Sequence, residues 1–111
     1  MDFITGVWRA ETGLVDRDTG QPLRQRYEFR DDGSGSVRLD RADGVACVGA
    51  ARARRNPDGS VEIAEQGEIE CPDGRAFQPS VTHCVNGPGG RAICRGKNLG
   101  GGPDYKVEIT R

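Results

Sequence analysis

At 111 residues the chain has room for one domain, spanning 1–111, and for no second core. Sixteen Lys and Arg against seventeen Asp and Glu leave a formal charge of −1, without the basic excess a nucleic-acid binder usually shows. No apolar run approaches the roughly 18 residues a membrane-spanning helix needs, and an apolar content of 34% with a mean hydropathy of −0.65 leaves a lean core.

Apolar residues recur with period two over short runs, the signature of half-buried strands, and no helical stripe interrupts them. The first predicted strand is Phe3 to Arg9. Asp16 to Pro22 reads as a turn, because Asp bonds the backbone ahead of it, Gly tolerates positive φ and Pro stops a helix. Arg24 to Arg30 follows as a strand with Tyr27 and Phe29 on one face, and Val37 to Arg41 pairs with it across the Asp31–Ser36 loop. Asp43-Gly44 turns the chain into a long strand, Val45 to Arg55. Asn56-Pro57-Asp58-Gly59 is the strongest turn signal, leading into Ser60 to Glu70 with Val61, Ile63 and Ile69 on alternate positions. Cys71-Pro72-Asp73-Gly74 reverses the chain again into residues 75–84, where Pro79 marks an edge or an interruption. After Asn86 to Gly90 come Arg91 to Arg95 and, beyond a glycine-rich loop, the terminal strand Asp104 to Arg111.

About eight short strands in sequential hairpins predict an all-β fold. The architecture expected is a small antiparallel up-and-down β-barrel, since a long meander loses its exposed edges by closing on itself. A β-sandwich is the alternative. Gly49, Ala51 and Ala53 suit a tightly curved wall.

Four cysteines, Cys47, Cys71, Cys84 and Cys94, allow three pairings. Centring one hairpin on Pro57-Asp58 sets Cys47 opposite the neighbourhood of Glu68, from which a bulge brings Cys71 within reach. Centring the next near Gly87-Pro88 sets Cys84 opposite Arg91, with Cys94 a few positions away. Cys47–Cys71 and Cys84–Cys94 is therefore the preferred pairing, with unpaired buried thiols as the alternative. Zinc is disfavoured, because no two cysteines have the close spacing of a knuckle, and no metal or cofactor is expected. Bridged cysteines point to an oxidising, extracytoplasmic compartment, periplasmic or secreted; reduced thiols would point to the cytoplasm. No leader is recognisable, so export implies a removed leader or another route.

His83 is the only histidine, and Cys84 beside it faces the other side of the strand, so a Cys-His nucleophile pair is not built locally. No catalytic residue is assigned. A hydrolase using His83 or paired carboxylates is an alternative without a supporting constellation. Gly87-Pro88-Gly89-Gly90 and Gly100-Gly101-Gly102 lack the Lys-Ser/Thr ending of a phosphate loop. The stretch Lys97 to Tyr105 is longer than a hairpin needs, and its residues Lys97, Asn98, Leu99, Asp104 and Tyr105 form the candidate partner-binding loop.

Gly6-Val7-Trp8 at the start of a meander resembles the G-x-W signature of lipocalin-like barrels. In that family the Trp closes one barrel end and an Arg from the last strand packs over it, which implies a structural role for Trp8 with Arg111 or, less directly, Arg95. The chain is shorter than typical lipocalins, which implies an interior largely filled by side chains. Its size and bridging also resemble the small bacterial periplasmic lysozyme inhibitors, in architecture and not in inhibitory-loop residues. The expected role is a non-enzymatic protein-binding module, possible forms being an extracytoplasmic inhibitor or an assembly component. A barrel binding a small apolar ligand is the alternative.

Overall fold

A computed structural model of the chain describes residues 4–10, 15–16, 19–98 and 105–111. Among the described residues ten strands follow in order: β1 Gly6–Ala10, β2 Arg24–Phe29, β3 Ser34–Asp40, β4 Ala46–Arg55, β5 Val61–Glu65, β6 Ile69–Glu70, β7 Ala76–Phe77, β8 Ser80–Asn86, β9 Arg91–Asn98 and β10 Tyr105–Thr110. Eight of them, β1 to β5 and β8 to β10, form a closed antiparallel up-and-down barrel. The ring is completed where β3 pairs with β4 and where Arg9 of β1 pairs with Thr110 of β10. The remaining two, β6 and β7, pair with each other and lie outside the ring, attached through β4. Closure excludes the sandwich.

Alternation of side chains sorts the wall. Along β2, Gln25, Tyr27 and Phe29 are buried while Arg24, Arg26 and Glu28 are exposed. Trp8, Tyr27, Ile63, Ile69, Ile109, Val37 and Val61 are nearly or fully buried and fill the interior with the cysteines. Tyr27 and Phe29 stack with centroids 5.6 Å apart.

One turn device is used four times. In Arg30–Ser34, Arg41–Val45, Asn56–Ser60 and Cys71–Arg75 the third residue is Asp and the fourth Gly. Each time the Gly N–H donates to the first carbonyl, and the Asp side chain accepts from the fifth N–H. The Gly φ lies at 87–90°, the left-handed value of a bulged three-residue hairpin loop, which costs glycine nothing sterically. The Ser34 and Ser60 hydroxyls hold the carboxyls of Asp32 and Asp58 below the ordinary aspartate range, Arg41 does so for Asp73 and the Val45 N–H for Asp43; at the first three the turn N–H adds to the effect.

Two predicted strands are each divided. Ser60 to Glu70 breaks between β5 and β6: Ala51 of β4 faces Glu65, whereas Val48 faces Glu70, so the outer chain gains two residues around Gly67. Residues 75–84 break at Gln78-Pro79, where β7 follows β6 outward and β8 returns to the ring. The connection from β8 to β9 is centred later than expected, on a 3₁₀ turn at Pro88–Gly90, and this puts Cys84 directly opposite Cys94.

Disulfides join Cys47 to Cys71 (S–S 2.05 Å) and Cys84 to Cys94 (2.09 Å), and no described cysteine is free. The two added residues between β5 and β6 supply the offset that brings Cys71 level with Cys47.

At the end of the barrel where the chain enters, Trp8 donates from Nε1 to the carbonyl of Ile4 at 2.8 Å. The Arg111 guanidinium lies 4.5 Å from the Trp8 ring centroid. Gly6 makes room for it: a Cβ there would meet Arg111 Nη1 at 3.0 Å, on a backbone whose φ of 111° disfavours any side chain. Arg95 stands elsewhere, on the outer wall opposite His83 and Lys106.

Candidate functional site

Up-and-down connectivity gathers at the other end the Val15–Pro22 bridge, the turn 41–45 and the stretch 66–79. The last carries the arm made by β6 and β7, and four separate contacts hold it. Val48 pairs with Glu70, and the Cys47–Cys71 bridge joins the arm covalently to β4. Arg41, in the turn after β3, binds the carboxylates of Asp43 and Asp73, which raises the pKa of its guanidinium. Arg75 Nη2 donates to both oxygens of Asp16, at 2.9 and 3.1 Å, and its guanidinium lies over the Phe77 ring at 5.7 Å. The Asp16 side chain is almost fully buried, which makes this pair more than a screened surface contact. Asp16 is itself fixed by backbone bonds with Gln21 and Gly20 beside the Val15–Pro22 bridge. The arm therefore rests on three other parts of the barrel end while Ala76 and Gln78 stay exposed.

Of the candidate loop residues, Lys97 is exposed on β9 opposite Val81, Asn98 ends β9 and Tyr105 opens β10 opposite Gly96. Leu99 and Asp104 lie outside the described residues.

Just inside this end sits a polar group that the sequence reading passed over. Glu65, the last residue of β5, is 6% exposed. It accepts from the Ser80 backbone N–H at 2.8 Å, from Ser80 Oγ at 3.1 Å and from Tyr27 Oη at 3.3 Å. Gln25 Nε2 donates onward to Tyr27 Oη at 3.1 Å, and Gln25 Oε1 is buried without a partner among the described residues. No cation among the described residues bonds this carboxylate. Burial dominates and pushes the Glu65 pKa up, against the hydrogen bonds that would lower it. Glu65 shares the alternation of Val61, Ile63 and Ile69, and that parity was the available signal that it points inward.

His83 is exposed on β8, and its Nε2 lies 3.0 Å from Ser60 Oγ. The Ser60 hydroxyl donates to Asp58 Oδ1 at 2.6 Å and accepts from Asn56 Nδ2 at 3.0 Å. Its one proton is thus directed to Asp58, so His83 does not act as its base in this arrangement. No cluster of three metal-ligating side chains occurs among the described residues.

On the outer wall, register lines up residues that lie far apart in sequence. Val48, Arg38, Arg26, Arg9, Thr110 and Arg91 face one another in turn across β4, β3, β2, β1, β10 and β9. Val48 is 58% exposed, and Arg9, Arg26 and Arg91 are exposed beside it.

Comparison with protein-family models, with curated proteins and with solved structures found no match to this chain.

Proposed function

We propose that this barrel is a non-enzymatic protein-binding module acting in an oxidising, extracytoplasmic compartment, and that it meets its partner with the end that carries the β6–β7 arm. The observation that carries this reading is the four-point fixation of the arm. The hairpin lies outside the ring with Ile69 packed into the core, and a bridge, a shared arginine, a half-buried ion pair and strand pairing also hold it still. Fixing a contact element in advance lowers the ordering cost at association, the usual reason rigid inhibitors and assembly modules bind well. Disulfides support the compartment, since they persist where thiols are not kept reduced. Among the described residues no helix is long and apolar enough to cross a membrane. The lipocalin-like arrangement of Gly6, Trp8 and Arg111 supports the scaffold, while the side chains packed inside favour an external contact over an apolar ligand held within.

The test is photocrosslinking in the native host from a reactive residue placed at Ala76 on the arm, compared with one at Val85 on the wall of β8. A discrete protein adduct from position 76 and none from 85 is expected. Equal labelling from both, or none from 76, removes the reading.

A further inference from the structure

We propose that the arginine row Arg38, Arg26 and Arg9, continued by Arg91 and flanked by Val48, is a docking surface for an acidic segment of a protein partner. It rests on the protein-binding reading above and assigns that partner a chemistry. Arg26 is the centre of the surface. Its register partners on both sides are arginines, Arg9 on β1 and Arg38 on β3, and Arg24 precedes it on the same face of its own strand.

Strands in a sheet run about 4.8 Å apart, so three guanidinium stems stand on adjacent strands at the closest spacing a sheet permits. Like charges directly opposite one another destabilise a sheet. The anions stand at its margins. Asp40 bonds Arg38 Nε at 2.8 Å and faces Arg24 in register, Glu28 stands two residues along β2 from Arg26, Glu108 two along β10 from Thr110, and Glu70 faces Val48. Arg9 and Arg26 have no ion-pair partner among the described residues. With a formal charge of −1 for the whole chain, this concentration is local and not the overflow of a basic protein.

Barrel stability does not call for such a row, whereas recognition of carboxylates does: the guanidinium fork binds them in bidentate fashion. Val48 at the end of the row decides between protein and nucleic acid. An exposed valine beside arginines matches the mixed apolar and Arg composition of protein interfaces. A single-stranded nucleic acid would want aromatic platforms, and the row carries none.

The test measures binding of fluorescently labelled poly-L-glutamate by anisotropy, with poly-L-lysine and a single-stranded oligonucleotide as comparison probes. Wild type is compared with Arg9→Gln/Arg26→Gln/Arg38→Gln. The wild type is expected to bind polyglutamate, with an affinity about tenfold or more above that of the triple variant and falling with salt. Equal binding by the two proteins overturns the proposal, and so does tighter binding of the oligonucleotide, which would make the row a phosphate site. Thermal unfolding of Arg26→Gln gives a second measure: an unchanged or higher Tm is expected, and a lower Tm would make the row structural. Failure here with an adduct still formed from position 76 removes the acidic partner and leaves the binding module. Success here without that adduct removes the arm.

Discussion

The two ends of the barrel are built from the same strands and differ in what they bury. At the Trp8 end the interior is apolar, the connections are short, and Arg111 covers the indole from outside. The Cys84–Cys94 bridge joins two ring strands at directly opposed positions nearer this end. At the other end a carboxylate, a phenol, a serine and an amide occupy the interior, and the Cys47–Cys71 bridge fastens an arm that is not part of the ring. One end invests its contacts in closing the barrel, the other in holding the arm. Substitutions at the two ends should therefore act in different ways.

The largest effect should come from Trp8→Ala. Removing a nearly fully buried indole leaves a cavity that the rigid ring cannot close, and a loss of about 3–5 kcal/mol is expected from denaturant unfolding. For a core this small, that loss approaches the whole stability of the fold.

Next come the bridges, which sharpen the contrast. Replacing either pair with serine should cost about 2–4 kcal/mol if each acts mainly on the unfolded chain. Their local signatures should differ. Without Cys47–Cys71, hydrogen exchange should rise over residues 66–77 while β8 and β9 keep their protection. Without Cys84–Cys94, β8 and β9 should lose protection together with the rest of the ring. An identical exchange pattern for the two variants would mean that the arm is held without its bridge.

Glu65 sets the polar end apart by pH. Its folded pKa is raised above the unfolded value of about 4.3, so the native state holds the proton more tightly. Stability should therefore fall as pH rises from that value through the raised folded one, and stay lower beyond it. Glu65→Gln keeps one acceptor oxygen for Ser80, while its amide nitrogen can only donate to the Tyr27 oxygen. With the buried charge gone, a flatter curve and a gain on the order of 1 kcal/mol at neutral pH are expected. The turn aspartates act with the opposite sign. Asp32, Asp43, Asp58 and Asp73 have lowered values, so their contribution is present above about pH 3.9 and is lost as pH falls through the folded values. In wild type the two trends oppose each other, and in Glu65→Gln only the acid loss should remain. Unfolding followed across pH 2–8, a range of about six units around these carboxyl values, separates them.

These residues also show what was legible in the sequence. The Asp-Gly turns could be read because two adjacent residues dictate both the φ and the hydrogen bond, with no help from the rest of the fold. Once such turns are placed, register follows locally, which is why the cysteine partners could be narrowed and why Arg26 could in principle have been set against Arg38. The break between β5 and β6 could not be read in the same way. Two extra residues restore the alternation, so Ile69 keeps the parity of Ile63 and the period-two pattern runs through the interruption unmarked. The polar interior was hidden for a different reason: Gln25 and Glu65 occupy inward positions with side chains that composition assigns to solvent. The arm's hold on Asp16 is a contact between residues 59 positions apart, and no spacing rule reports it.

The smallest effect probes the Trp8 end at its rim. Arg111 is exposed, so Arg111→Ala should cost about 0.5–1 kcal/mol, the range for a cation over an indole face in contact with water. Gly6→Ala should cost more, about 1–2 kcal/mol, because the backbone at φ 111° is strained for alanine whether or not the arginine is present. The added methyl also meets the far end of the Arg111 side chain, which can move aside at little cost. The two substitutions should therefore be close to additive, with a coupling of at most about 0.5 kcal/mol in a double-mutant cycle. A much larger coupling would mean that Gly6 is kept to seat the arginine, and not for its backbone; the guanidinium would then be part of the core and no longer a cover over it.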